Sequence, residues 1–407
     1  MTSTAIPMPV PRVNTTQYRV LGAVSFCHLL NDMLQALLPA AYPILRGGFN
    51  LSFAQIGYLA LVYQITASIL QPFIGFYTDK HPKPFALPFA MLASGCGLML
   101  LAFASSYAGL MMGAAMLGLG SSIFHPESSR IARLASGGSH GVAQSLFQVG
   151  GNIGSALGPL AAAFIVLPQG EKGMAWGGIA AVVGIVIMTA LSRWYRDVLR
   201  ERARNPAHAA RAKAAALPAL SATQIRNAMI VLVLLLLSKY VYLASFTNFY
   251  PFFIMHRFGL STHDAQLCQF VFFAAVAAGT VMGGPVVDRI GQKKVIAWSI
   301  LGTLPFTLAL PYANLPLTLA LSVIIGVVLS SAFPAIIVFA QELVPGRTGM
   351  ISGMFFGFIF GVSGISAALL GGLADRWGID AIYQACAFLP VMGVLAWRLP
   401  ERRKAGG

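Results

Sequence analysis

The sequence predicts an all-α membrane protein: twelve transmembrane helices arranged as two pseudo-symmetric six-helix bundles. Three observations carry that reading. Of the 407 residues, 57% are hydrophobic and only 10% are charged, against about 25% charged in soluble domains, and the mean hydropathy is +0.75. The apolar residues fall into long continuous runs without period-two alternation, so the spans are helices rather than barrel strands. The second half of the chain also echoes the first at an offset close to 209 residues.

Roughly 20 apolar residues cross a bilayer. By that measure the spans are expected near 18–45, 52–76, 84–104, 107–129, 141–167, 174–193, 226–254, 263–287, 293–312, 315–342, 349–373 and 379–398. Residues 1–17 are polar and Pro-rich and read as a cytoplasmic tail. The first apolar run is too long for the apolar region of a signal peptide. Residues 18–193 form the first bundle. The stretch 194–225 holds Arg196, Arg200, Arg202, Arg204, Arg211 and Lys213 and reads as a cytoplasmic linker. Residues 226–398 form the second bundle, and 399–407 a cytoplasmic tail.

Charge fits this layout. The formal net charge of +15 suits loops on the cytoplasmic face of a bilayer, where Lys and Arg collect, and no nucleic-acid partner is expected. With the N-terminus inside, the outer loops hold Arg46, Lys172, Arg257 and Arg376, Lys239 lies within a span, and 22 of the 27 basic residues fall on the cytoplasmic side. Cys27, Cys96, Cys268 and Cys386 all sit in apolar runs without ligand spacing, so neither a disulfide framework nor a metal site is expected.

The internal echo is specific in three places. Gly75 to Lys80 after the second span matches Gly284 to Arg289 after the eighth. Ser121-Ser122-Ile123-Phe124 matches Ser330-Ser331-Ala332-Phe333. Gly150 and Gly154 fall against Gly357 and Gly361. Duplicated six-helix halves place a transporter's site at their interface.

Twelve spans, a central basic linker and Gly-x-x-x-Asp-Arg/Lys after spans two and eight resemble the major facilitator superfamily. The loop motif is fuller in GPVVDRIGQKK, from Gly284 to Lys294, than in GFYTDKHPKP, from Gly75, where prolines replace part of the basic run. More narrowly, HLLND (His28 to Asp32), GSSIFHPESSRIARLASGG (Gly120 to Gly138), FQVGGNIGSALGP (Phe147 to Pro159) and SKYVYLASF (Ser238 to Phe246) resemble bacterial fosmidomycin resistance proteins. That resemblance implies a proton-driven drug exporter of the superfamily.

The candidate site begins at His28 and Asp32, four residues apart and so on one helical face, with Gln35 one turn on. A carboxylate at bilayer depth faces a cavity, a partner or a proton, and a polar pair that only holds helices together is the alternative. Coupling to a proton gradient requires a carboxylate whose proton comes and goes, and His28 can share that proton. In the resembling fold, spans one and seven line the cavity from opposite halves. Lys239 is then the expected counter-charge for Asp32 or for an anionic substrate, with snorkelling to an interface as its alternative. Tyr242 and Phe246, at three and seven residues from Lys239, are expected to continue its face.

His125 and Glu127 flank Pro126 near the expected cytoplasmic mouth, where a proton site and a structural cap are both open. The match to Gly118 and Gly120 puts Ala114 where many relatives carry an arginine, so a proton route cannot be copied from them. Gly150, Gly154 and Gly158, ending in Gly-Pro, resemble the antiporter motif and read as a packing stripe, and Gly349, Gly353, Gly357 and Gly361 repeat it. Gln144, Gln148 and Asn152 form a polar stripe expected to face the cavity, as is Gln64 with Ser68 and Gln71, because unpaired amides in lipid are costly. The resemblance implies that Asp79 and Asp288 are loop clasps, with Arg130 or Arg133 serving the first, Arg347 the second, and Arg289 beside it; solvated loop charges are the alternative.

The function expected is proton-coupled export of fosmidomycin or a similar small phosphonate or amphipathic compound, by a monomer in the inner membrane with both termini cytoplasmic. Proton-coupled uptake of a small anionic metabolite is the alternative. Proton-coupling roles fall to Asp32, His28, Glu127 and His125, and substrate contacts to Lys239, Tyr242, Phe246, Gln35, Gln64, Gln148 and Asn152. No cofactor fingerprint and no phosphate loop of the ATPase type is present, so no cofactor is expected and an enzyme is excluded.

Overall fold

The computed structural model describes residues 16–204, 220–344 and 347–400. Twelve helical crossings are seen among them. The first six are α1 (Tyr18–Ala40), α2 (Phe53–Lys80), α3 (Ala86–Ala102), α4 (Tyr107–Ala135), α5 (His140–Ala161) and α6 (Gly177–Arg204). The second six are α7 (Ala222–Phe258), α8 (Thr262–Ile290), α9 (Gln292–Leu301, continued by Leu304–Ala309), α10 (Leu315–Ser330, continued by Phe333–Leu343), α11 (Thr348–Trp377) and α12 (Asp380–Cys386, continued by a 3-10 turn over Leu389–Arg398). Among the described residues no strand is present.

Local chemistry explains where these helices start and stop. Ser52 and Ser221 open α2 and α7 with capping boxes, each accepting from the backbone N–H three residues on. Ser106, Ser261 and Asn314 cap α4, α8 and α10 in the same way. Gly259, at φ +68°, closes α7 in the left-handed conformation. The first expected span is divided: α1 ends at Ala40, and a short helix over Tyr42–Phe49 follows. Pro334 opens the second piece of α10, where its missing N–H costs nothing.

The basic stretch between the halves is less of a linker than its polarity suggested. α6 runs on to Arg204, with Trp194, Tyr195 and Val198 buried against the first bundle. The apolar face of the last turns outweighs the charges on the other. Arg211 and Lys213 lie outside the described residues.

Within the first half, α5 lies directly on α1. A Cβ at Gly150, Gly154 or Gly158 would run into Ser25, Leu29 or Ala36 of α1. The second-half stripe does something different, because it packs across the halves. Gly353 lies against Gln71, Gly357 against Ser68 and Gly364 against Gln64, all on α2. α2 and α11 therefore run antiparallel through their full length. α5 and α8 form the second contact between the halves, tied by a hydrogen bond from the Asn152 amide to the Thr280 hydroxyl. α3 with α6, and α9 with α12, occupy the flanks, where Phe89, Val182, Val186, Trp298, Val391 and Trp397 are exposed. Such an apolar exterior is what lipid requires.

Gly154→Ala should lower thermal stability in detergent, by about 1–3 kcal/mol for a methyl forced into a closed contact. Gly22→Ala, on the same bundle with nothing near its Cβ, should leave stability unchanged; equal effects would show that the α1–α5 approach is not tight.

Candidate functional site

A cavity of about 190 Å³ lies between the two halves. Asp32 and Gln35 of α1, Gln64 of α2 and Asn152 of α5 line it from the first half. Lys239 of α7 lines it from the second. Five of the residues singled out from sequence thus share one space.

Asp32 is held by two histidines from different helices. Its Oδ2 lies 3.1 Å from His28 Nε2, and its Oδ1 lies 3.5 Å from His125 Nε2. Oδ1 also accepts a hydrogen bond from the Asn31 amide at 3.0 Å. The far side of each imidazole is already committed. His28 Nδ1 is 2.7 Å from the Phe147 carbonyl, and His125 Nδ1 is 3.1 Å from the Ser121 carbonyl. A carbonyl can only accept, so His28 Nδ1 carries a hydrogen; His125 Nδ1 also lies 3.2 Å from the Ser121 hydroxyl, which can donate or accept. In both rings the nitrogen that faces the carboxylate is Nε2.

Both imidazoles are boxed in. His28 stacks on Phe147 with ring centres 4.0 Å apart, and His125 lies between Phe356 and Phe360, each 5.1 Å away. Ligand atoms of the three groups all lie within 4.8 Å of one another, close enough to share protons or to hold one small cation. The close α1–α5 approach is what lets His28 reach the Phe147 carbonyl, and Gly151 faces the imidazole and the carboxylate directly.

Lys239 is only 2% exposed although it is a lysine. It reaches the cavity and has not snorkelled to an interface. Its ammonium lies 5.6 Å from the Tyr240 ring centre and 5.3 Å from that of Phe333. Asp32 is paired with the histidines, and among the described residues no carboxylate lies within ion-pair distance of Lys239. Of the two partners expected for Lys239, Asp32 makes no direct ion pair with it; the two face the same space from opposite halves.

Tyr242 and Phe246 are a correction. Both are fully buried away from the cavity. Phe246 stacks on Phe272 at 4.1 Å and on Tyr250 at 4.7 Å, with Tyr242 beside it. Tyr240, Leu243 and Thr247 line the cavity in their place. Positions at +3 and +7 lie to one side of Lys239 on the helix, and those at +1, +4 and +8 to the other. Both sides are apolar or aromatic, so spacing alone left the choice open. Tyr63 and Gln269 were also missed. Tyr63 donates its hydroxyl to the Gln35 amide oxygen at 2.6 Å. Gln269 donates to the Phe246 and Thr247 carbonyls. An amide in the eighth span was the signal available for Gln269.

His125 and Glu127, two residues apart, part company. Two residues turn the helix by about 200°, so His125 joins Asp32 while Glu127 points away from it. Glu127, 1% exposed, pairs with Arg130, whose other nitrogen donates to Asp79 at 2.8 Å and to the Gly75 carbonyl at 3.1 Å. Asp79 in turn accepts from the Met350 backbone N–H of α11 at 3.0 Å. Arg133 crosses to the second half as well, donating to Gln341 at 2.9 Å. The Ser129 and Ser352 hydroxyls meet at 3.1 Å. These contacts tie the two halves together at the end of the bundle that carries the basic loops. Gln148 is buried but does not line the cavity, and Gln144 accepts from Ser129. Arg289 and Arg347 are exposed, and the side chain of Asp288 lies outside the described residues.

The comparisons with known proteins agree with this architecture. A family model described as Major Facilitator Superfamily matches residues 24–262 and 235–407. The fosmidomycin resistance protein of Escherichia coli (strain K12) is 52% identical over 388 residues, covering 95% of this chain and 94% of that protein. The uncharacterized MFS-type transporter YfnC of Bacillus subtilis (strain 168) is 40% identical over 395 residues, covering 97% and 96%. A gallate transporter of Pseudomonas putida is 32% identical over 153 residues, 36% of this chain and 34% of that one. Two six-helix halves around one polar cavity, matched along nearly the whole chain, mark a multi-pass membrane transporter that belongs to the major facilitator superfamily, in its fosmidomycin resistance family.

Proposed function

We propose that the protein is a proton-coupled exporter that extrudes fosmidomycin or similar small phosphonate or amphipathic compounds by alternating access, as a monomer in the bacterial inner membrane. The basic end of the bundle is the cytoplasmic end in this reading, in keeping with the positive-inside bias. The observation that carries the proposal is Asp32 held between two imidazoles whose Nε2 atoms face it, on the wall of a cavity also lined by Lys239, which has no carboxylate partner among the described residues. Such a cluster takes up and releases protons with small movements of its members. Lys239 supplies the cation for a phosphonate, and Gln35, Gln64 and Asn152 supply neutral hydrogen-bonding groups for the rest of the molecule.

Counterflow requires proton and substrate to exclude each other from the site. In the export reading, donor groups of the substrate take Asp32 once the cluster has given up its proton, and a proton taken from outside reclaims the carboxylate and releases them. Charge alone acts in the opposite sense, because a deprotonated Asp32 repels an anion, and it favours movement of both in one direction. Proton-coupled uptake of a small anion through the same cavity is the second reading, and the shorter match to a gallate transporter supports a small anion as its cargo.

The test is transport in proteoliposomes with an imposed pH gradient, comparing fosmidomycin with unrelated compounds. Counterflow of protons and fosmidomycin supports export, and movement of both in one direction supports the second reading. Asp32→Asn and His125→Gln should each cut gradient-driven transport at least tenfold while thermal stability stays near that of the parent. Full transport in the His125 variant would separate it from the proton cluster.

Lys239→Ala should weaken transport of phosphonates by about ten- to a hundred-fold, since a charge-assisted hydrogen bond contributes about 1.5–3 kcal/mol. Uncharged substrates should be affected far less; equal loss of both classes would make Lys239 structural.

A further inference from the structure

α2 and α11 each end in a carboxylate that caps the start of the other. At the basic end Asp79, near the C-terminus of α2, accepts from the Met350 N–H in the first turn of α11. At the opposite end Asp375, near the C-terminus of α11, accepts from two N–H groups in the first turn of α2. Its Oδ1 lies 3.2 Å from Phe53 N and its Oδ2 lies 2.8 Å from Ala54 N. The first four N–H groups of a helix have no partner within it. In α2, Ser52 takes the N–H of Gln55 with its hydroxyl and that of Ile56 with its carbonyl. Asp375 takes the two that remain, from across the boundary between the halves.

We propose that Asp375 is a gating residue of the transport cycle, clasping the far end of the α2–α11 interface in opposition to the Asp79 clasp at the basic end. Antiparallel packing makes this geometry possible. It brings the C-terminal end of each helix, with its carboxylate, against the N-terminal end of its partner, where an anion is favoured. Between the clasps the helices meet at small residues, Gly357 and Gly361 on Ser68 and Gly364 on Gln64. A rocking motion about that midpoint opens one end while the other stays shut. Both clasps are closed in this structure, so neither end of the interface is parted.

The clasps are unequal. Asp79 is also gripped by Arg130, which Glu127 holds in turn. Asp375 has no ion pair among the described residues, so its hold is the two backbone bonds. The basic end should therefore be the harder of the two to open. The echo of Asp79 by Asp288 in the sequence pointed to the same end of the membrane for both; the partner that opposes Asp79 lies instead on α11, at the other end.

This inference rests on the alternating-access reading above. Its test is labelling of a cysteine placed at Ser155, which lines the cavity, as Ser155→Cys, by a membrane-impermeant maleimide in right-side-out and inverted vesicles. Rates are taken above those of the protein without that cysteine. Asp375→Ala should raise labelling from one face at least threefold, and Asp79→Ala should raise it from the opposite face. Asp375→Asn, which keeps one acceptor, should lie between parent and Asp375→Ala. Ala54→Pro removes one donor without touching the carboxylate, in the first turn, where a missing N–H breaks no bond within the helix, and should behave like Asp375→Asn. An Asp375→Ala variant that labels like the parent, or equally more from both faces, overturns the clasp, as does an Ala54→Pro variant without effect. Failure of proton-coupled export would show instead as absent transport by the parent, with these labelling shifts intact.

Discussion

A carboxylate in the middle of a bilayer has no water to turn to, and every donor it needs must come from its own protein. Asp32 meets that constraint with His28, His125 and Asn31, and much of the fold serves to bring them there. The imidazoles are aimed by the Phe147 and Ser121 carbonyls, which belong to helices α5 and α4 and still have a lone pair free after their backbone bonds. Phe147 can play that part only because α5 rests against α1 through Gly150 and Gly154, with no side chain in the way. The glycine stripe thus packs the two helices and, in doing so, sets the distance between the His28 ring and the Phe147 carbonyl.

Charge is divided between the halves. The first half carries the acid and its histidines, and the second carries Lys239 against the Tyr240 and Phe333 rings. Keeping the two apart leaves the Lys239 ammonium on the cavity wall with no carboxylate within ion-pair distance among the described residues. A direct ion pair between them would satisfy both and leave the cavity with little to attract a ligand.

The interface between the halves has its own chemistry. Where α2 meets α11 the contacts are glycines, serines and amides, which can part and re-form without tearing a jigsaw of large side chains. Among the described residues, the hydrogen bonds between α2 and α11 lie at the two ends. At the basic end Asp79, Arg130, Arg133, Ser129 and Glu127 make a network shared by both halves. The rigid aromatic packing around Phe246, Phe272 and Tyr383 lies inside the second half, where no movement is required.

How much of this was legible in the residues follows from the range of each force. Hydrophobic run length, the basic bias of one set of loops and serine caps are local properties, so the sequence by itself determined twelve helices in two related halves. It also determined that Asp32, His28, Gln35 and Lys239 belong in the middle of the protein. Which side of α7 faces the cavity depends on what packs against its other side, and so Tyr242 and Phe246 exchanged places with Tyr240 and Thr247. The pairing of His125 with Asp32, the parting of Glu127 from it and the reach of Asp375 to α2 concern residues from about 90 to more than 300 positions apart. Only the tertiary structure decided those, because a hydrogen bond acts over about 3 Å and no pattern along the chain records which distant groups folding brings within that distance.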